Sequence, residues 1–155
     1  MIQPYTKDDR SELEDFLMRQ HTFALLNGQS IQEFRDENVA DFEEDGTVSL
    51  IDREDGQIVA IADLLKRHPV DGSLWLGLFV VDEILHGTGL AQTLYEQLEE
   101  HFMRPYQTVF RLGVLPDNIR ARRFWERNGY VYEKDSVTNK GVRVHVLKKQ
   151  LIRTE

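Results

Sequence analysis

Residues 74 to 81 read Leu-Trp-Leu-Gly-Leu-Phe-Val-Val, a run with no charged side chain. A strand apolar on both faces belongs in the interior of a sheet that is covered on both sides. His86-Gly87-Thr88-Gly89-Leu90-Ala91 follows, and then Ala91, Leu94, Tyr95, Leu98 and Phe102 recur at helical spacing until Pro105. A second largely apolar strand is expected over Thr108 to Leu115. Strand, helix, strand in this order is a βαβ crossover, so the two strands run parallel at the centre of the sheet.

The flanking segments predict antiparallel additions. Val48 to Arg53 and Gln57 to Lys66 form a hairpin across Glu54-Asp55-Gly56, since Asp-Gly supplies the positive φ of a tight turn. Tyr130 to Lys134 and Val142 to Lys148 form another across Asn139-Lys140-Gly141. A first helix is expected from Lys7 to Leu25, with Thr6 and Asp9 at its start, and Asn27-Gly28 breaks it. Ser30 caps a second, acidic helix with Ile31, Phe34 and Phe42 on one face. Pro116-Asp117 precedes a short helix with Ala121, Phe124 and Trp125 inward, stopped by Asn128-Gly129. The order is β-α-α-β-β-β-α-β-α-β-β, an α/β fold with a mixed, mostly antiparallel sheet.

The 155 residues fit one domain, 1 to 155, with no repeat or linker to divide it. The N-terminus lacks the basic start and apolar core of a signal peptide, so the expected location is cytoplasmic and no membrane partner is expected. No cysteine is present, which excludes thiolate metal sites and a cysteine nucleophile; no metal is expected. A formal charge of −8 disfavours nucleic acid as a partner. Between Ile31 and Asp55 ten acids (Glu33, Asp36, Glu37, Asp41, Glu43, Glu44, Asp45, Asp52, Glu54, Asp55) stand against Arg35 and Arg53. Arg120, Arg122, Arg123 and Arg127 reverse that bias near the C-terminal end. Two solvated surfaces would explain both; so would a cationic ligand at one end and an anionic one at the other.

The glycine loop has the place of an anion site. In a βα turn, glycines let a ligand come close to the backbone, and the first N–H groups of the next helix point outward with the positive end of its dipole behind them. No Lys-Ser or Lys-Thr follows, which excludes the nucleoside triphosphate loop, and Gln92 stands where a dinucleotide fingerprint needs glycine.

Phe79 to Ala91 resembles the signature of the GNAT superfamily of acetyl-CoA-dependent N-acetyltransferases, in which Gln or Arg is followed three residues later by Gly and five later by Gly or Ala. Gly89 and Ala91 match; His86 stands where Gln or Arg is usual. Asn118 to Tyr130 is similar to the family's Asn-x-x-Ala-x-x-aromatic-Tyr-x-x-x-Gly-aromatic, with Trp125 in the tyrosine's place. The resemblance covers roughly Ile2 to Leu147. It implies about seven strands, helices on both sheet faces, and a central parallel pair that splays.

It also implies acetyl-CoA as cosubstrate, its pyrophosphate on the amides of about Gly87 to Ala91 (Gly87, Thr88, Gly89, Leu90 and Ala91), with His86 a further cofactor-binding position at the start of the loop. The pantetheine arm would lie along Phe79, Val80 and Val81, Asn118 would contact it beyond the split, Trp125 would pack beside the thioester, and Arg122 or Arg123 would meet phosphate. The acceptor, a small-molecule amine or an exposed protein amino group expected to arrive cationic, would lose a proton and attack the thioester as the neutral amine while a main-chain N–H near Val81 holds the oxyanion. The apolar strand contains no carboxylate, so the candidate bases are Asp63, Glu83 and His145. Tyr130, in the family's core aromatic position, is the nearest candidate acid, with Tyr95 and Tyr132 behind it. An acyl-CoA-binding regulatory module without turnover is the alternative, and either a monomer or a homodimer is compatible with the chain.

Overall fold

The computed structural model describes residues 1–152. The chain runs β1 (Gln3–Pro4), α1 (Arg10–Leu17), α2 (His21–Leu26), α3 (Ile31–Phe42), β2 (Val48–Glu54), β3 (Gln57–Leu65), β4 (Leu74–Val81), α4 (Leu90–Leu98), β5 (Val109–Val114), α5 (Ile119–Arg127), β6 (Val131–Val137) and β7 (Arg143–Gln150). Short 3-10 turns lie at Lys7–Asp9 and Glu83–Leu85, and a π turn at Glu99–Met103 extends α4. The strands form one seven-stranded sheet, β1-β2-β3-β4-β5-β7-β6, in which β4 and β5 are parallel and every other neighbouring pair is antiparallel. The expected mixed sheet with its central parallel pair is therefore present. Among the described residues no helix is long and apolar enough to cross a membrane.

Alternating side chains of the sheet build two cores. Leu50, Ala60, Ala62, Leu64, Leu74 and Leu76 pack with Leu94, Tyr95 and Leu98 of α4 and with Trp125 of α5. On the other face Ile51, Ile58, Ile61 and Val80 pack with Leu13, Phe16 and Leu17 of α1 and Phe34, Val39 and Phe42 of α3. Each large apolar side chain buried this way contributes about 1.5–3 kcal/mol. The Asp-Gly hairpin forms as its sequence demands, with Asp55 at φ 52° and Gly56 at φ 79°.

One irregularity shapes β4. Asp63 pairs with Leu78 and Leu64 with Leu76, so Gly77 is an extra residue, a β-bulge. The bulge inverts the alternation. Leu74 and Leu76 face α4 before it and Phe79 and Val81 after it, while Leu78 and Val80 turn toward the face that α1 and α3 cover.

The expected helix from Lys7 to Leu25 is instead a 3-10 turn and two helices, broken between Leu17 and His21. Gln20, buried, leaves helical geometry, donates to the Phe16 carbonyl at 3.0 Å and accepts from the Glu83 N–H at 2.9 Å. The Glu83 carboxylate in turn accepts from the Thr22 N–H at 3.1 Å, at the start of α2. A partner more than sixty positions away in the chain thus sets the break. Nearby, Arg19 donates from Nε and Nη2 to Asp82 at 3.2 and 3.0 Å and from Nη2 to the Ile58 carbonyl at 3.1 Å. Asp82 is buried and also accepts from the Ile84 N–H. Removing one partner of such a pair strands the other. Asp82→Ala is expected to lower stability by about 2–3 kcal/mol, read as a lower urea midpoint at unchanged slope.

Candidate active site

Parallel pairing between β4 and β5 is confined to Leu74 with Phe110 and Trp75 with Arg111; beyond them the strands part. Continuing that register would set Gly77 opposite Gly113, so both strands lack a side chain where they part. The direction of the freed backbone groups follows from β3. The Asp82 N–H donates to the Val59 carbonyl at 2.8 Å, which makes the preceding pair, Val81 with Ala60, a non-hydrogen-bonded one. The main-chain groups of Val81, and of Phe79 two residues earlier, therefore point away from β3 into the fork. The Val81 carbonyl meets His86 Nε2 at 2.9 Å; since a carbonyl only accepts, His86 donates from Nε2. His86 thus ties the glycine loop back to the open edge of β4.

The loop owes its two glycines to conformation. Gly87 has φ 84° and Gly89, the residue before α4, φ 87°, both in the left-handed region. Thr88 Oγ1 donates to the Leu85 carbonyl at 2.6 Å and fixes the turn between them. Among the described residues no acceptor meets the N–H groups of Gly87, Gly89, Ala91 or Gln92. The first turn of α4 carries no acidic side chain to compete for them. Four outward donors at a positive helix end form a cradle for an anion made of main chain.

An aromatic wall faces the fork from the α4 side. Phe79 lies 5.8 Å from Trp125, 6.2 Å from Tyr95 and 6.3 Å from Phe124, and Trp125 stacks on Phe124 at 4.8 Å. Tyr130 is fully buried, with its hydroxyl 2.7 Å from that of Tyr95. Burial pushes both phenols far above the ordinary tyrosine range. Asn118 caps α5, accepting from the Ala121 N–H at 3.1 Å. Arg122 pairs loosely with Glu126 and lies over Tyr132 at 5.4 Å, while Arg123 is exposed.

The opposite face of the fork is acidic. Asp63, cross-strand neighbour of Leu78, is half-buried and accepts from Ser49 Oγ at 2.9 Å. Burial raises its carboxyl to about 6 against the lowering effect of that hydrogen bond, and the charges of Asp41 and Glu44 add to the rise. Of the other candidate bases, Glu83 caps α2 as described, and His145 Nδ1 lies 2.6 Å from Asp135 on the outer strands. Tyr132 donates to the same carboxylate at 3.0 Å. The structure thus brings Phe79, Val81, His86 and the glycine loop to one end of the fork and Asp63 to its far face. Gly77, Gly113, Ser49 and Lys140, which lies against α3, are additions that sequence reasoning missed. Only Gly77, a lone glycine in an apolar strand, carried a signal, because such a residue often marks a bulge.

The sequence profile of the acetyltransferase (GNAT) family matches residues 10–130. No curated protein matches the chain by sequence. Among solved structures it is similar to an acetyltransferase from Thermus thermophilus, with a TM-score of 0.80 at 17% identity over 97% of this chain and 96% of that one. The ribosomal-protein-S18-alanine N-acetyltransferase of Escherichia coli gives 0.72 at 18% identity, covering 100% and 96%. A spermidine N-acetyltransferase chimera from Vibrio cholerae and hSSAT gives 0.68 at 15%, covering 97% and 95%. At these identities the structures speak for the fold alone, and the profile, matched over most of the chain, supplies the kinship: the chain belongs to the acetyltransferase (GNAT) family.

Proposed function

We propose that the protein transfers an acetyl group from acetyl-CoA to a cationic primary amine, on a small molecule or at an exposed protein amino group. The observation that carries this reading is the fork. It offers an open backbone edge at Phe79 and Val81, a cradle of free N–H groups at one end, and a carboxylate of raised pKa across it. The amides of Gly87, Gly89, Ala91 and Gln92 hold the pyrophosphate, and the edge of Phe79 and Val81 binds the pantetheine amides as an added strand would. Trp125 and Phe79 pack beside the thioester.

Asp63 accepts the proton of the incoming ammonium, directly or through a water, and the neutral amine attacks the thioester carbonyl. The Val81 N–H, directed into the fork, donates to the developing oxyanion; a preorganised donor of this kind is worth roughly 3 kcal/mol. When the C–S bond breaks, the attacking nitrogen gives up its extra proton, directly or through water, to the departing thiolate, whose thiol has a pKa of about 8.5, so the products are the neutral amide and CoA. No tyrosine is needed, and Tyr130, with its hydroxyl buried against Tyr95, stays a packing residue. Glu83 and His145 are left in their structural pairs. Relatives that act on spermidine and on a ribosomal-protein alanine, by their names, fit an amine acceptor. CoA release from acetyl-CoA across a panel of amines tests the reading; binding of CoA with no turnover of any amine would favour the regulatory module.

Two predictions separate the parts. Gly89→Ala forces a Cβ into the left-handed region at a cost of roughly 1–2 kcal/mol, and the Cβ itself meets nothing within 4 Å, so the strain is conformational. The variant is expected to fold with a slightly lower Tm and to lose most of the stabilisation by CoA; undiminished stabilisation would show that the loop does not bind the pyrophosphate.

Asp63→Asn is expected to lower kcat/KM for the amine by roughly 10² to 10⁴ and to abolish an acidic limb near pH 6, below which wild-type Asp63 is protonated and cannot serve as base. The folded pKa lies above the unfolded one, so ionised Asp63 burdens the fold above about pH 6 and lowering the pH relieves it. Asp63→Asn should therefore be at least as stable at pH 7. A full-rate Asp63→Asn enzyme would remove Asp63 from the mechanism.

A further inference from the structure

Two hydroxyls stand beside the Asp63 carboxyl. Val48 of β2 pairs with Leu64 of β3 and both face α4, so the next pair, Ser49 with Asp63, faces α1 and α3. Thr47, two residues before Ser49, falls on that same face, diagonally across from Asp63. Ser49 Oγ donates to Asp63 Oδ1 at 2.9 Å, which leaves Oδ2 without a donor among the described residues. Thr47 Oγ1 is buried and completes no hydrogen bond among the described residues, yet lies near enough to Asp63 to favour its ionised form. A buried hydroxyl without a partner is a net cost to the fold. Valine, of nearly the same shape, would avoid that cost, so stability does not account for a threonine here.

We propose that Thr47 and Ser49 are positioning residues for the base: their two hydroxyls hold the Asp63 carboxylate in its ionised form and fix which way it faces. This rests on the reading of Asp63 as the base. Ser49 supplies the standing bond, and Thr47 completes a second one with the ionised carboxylate, whose two oxygens have lone pairs to accept it. Both donors favour the charged form. They act against the rest of the site. Burial is the largest influence on Asp63 and raises its pKa, and the charges of Asp41 on α3 and Glu44 just beyond it add to the rise. Lys140 of the β6–β7 turn lies 3.1 Å from Asp41 and offsets part of that charge. The other neighbours carry none. β4 sets Leu78 across from Asp63, and α1 and α3 pack on this face through Leu13, Phe16, Leu17, Phe34, Val39 and Phe42. With both hydroxyls in place the balance falls at about 6, below neutrality. Without them it moves up toward the working pH, where a protonated Asp63 cannot take a proton from the amine.

The test compares wild type, Thr47→Val, Ser49→Ala and Thr47→Ser. Two quantities are followed against pH: the NMR shift of the Asp63 carboxyl carbon, assigned by its loss in Asp63→Asn, and kcat/KM from CoA release with the best amine acceptor. Thr47→Val and Ser49→Ala are each expected to raise the Asp63 midpoint by roughly one pH unit, a tenfold change in proton affinity. The acidic limb of kcat/KM should move up with it. The resulting loss is roughly threefold at about pH 6.5 and vanishes at about pH 8.5, where Asp63 is ionised in every variant. A merely structural defect would lower the rate at both. Thr47→Ser, which keeps the hydroxyl, should titrate as wild type does. An Asp63 midpoint left in place by Thr47→Val, or raised as much by Thr47→Ser, overturns the proposal. If the midpoint rises while the limb stays where it was, Asp63 is not the base; if wild type turns over no amine, the acetyltransferase reading fails. In both cases the NMR titration still decides whether the two hydroxyls hold the carboxylate.

Discussion

The site depends on how little of β4 and β5 pairs. Two residue pairs, Leu74 with Phe110 and Trp75 with Arg111, close the fork at one end, and all that follows requires it to stay closed there and open beyond. The closed end is clamped. Trp75 Nε1 donates to Asp71 at 2.9 Å, and Asp71 also accepts from the Ser73 N–H and Oγ at 2.8 and 2.6 Å. Arg111 donates from Nε and Nη2 to Glu133 of β6, both at 3.0 Å, and its Nη1 lies 3.7 Å from Asp71. The clamp links the β3–β4 loop, β4, β5 and β6 where the fork begins. Past it the Gly77 bulge turns β4, and the aromatic rings of Phe79 and Trp125 meet on the α4 face.

This geometry divides the work by side. On the α4 face stand the aromatic rings of Phe79, Tyr95, Phe124 and Trp125 and, at the start of α4, main-chain N–H groups that meet no acceptor among the described residues. On the α1–α3 face lie Asp63 and the carboxylates of α3. The acidic stretch is only partly a solvated surface: Arg35 pairs with Asp36, Arg10 reaches Glu43, the N-terminal ammonium meets Asp52, and Lys140 bridges Glu37 and Asp41. Of its charges, those of Asp41 and Glu44 act on Asp63 and add to the rise of its carboxyl.

Much of this was legible because it rests on local chemistry. The run of apolar residues on both faces of β4, the Asp-Gly turn and the two glycines before α4 each have one physical solution close by in the chain. The crossover then fixed the parallel centre. What escaped detection depends on distant partners. The helix break at Gln20 needs Glu83, the His86 ring needs the Val81 carbonyl, and Lys140 needs α3. His86 looked like a departure from the family signature; as a tie between loop and strand it has a reason that no spacing could supply. Asp63 and Glu83 were indistinguishable by type, and only burial against a capping role separates them.

The central claim is that one ligand lies along the open edge of β4 with its phosphates on the glycine loop. Hydrogen–deuterium exchange with and without CoA tests it directly, since the groups in question are backbone N–H groups. The account predicts slowed exchange in two segments, Phe79 to Val81 and Gly87 to Gln92, with little change in β2, β6 or β7. CoA binding that slows exchange elsewhere and leaves both segments as they were would contradict it.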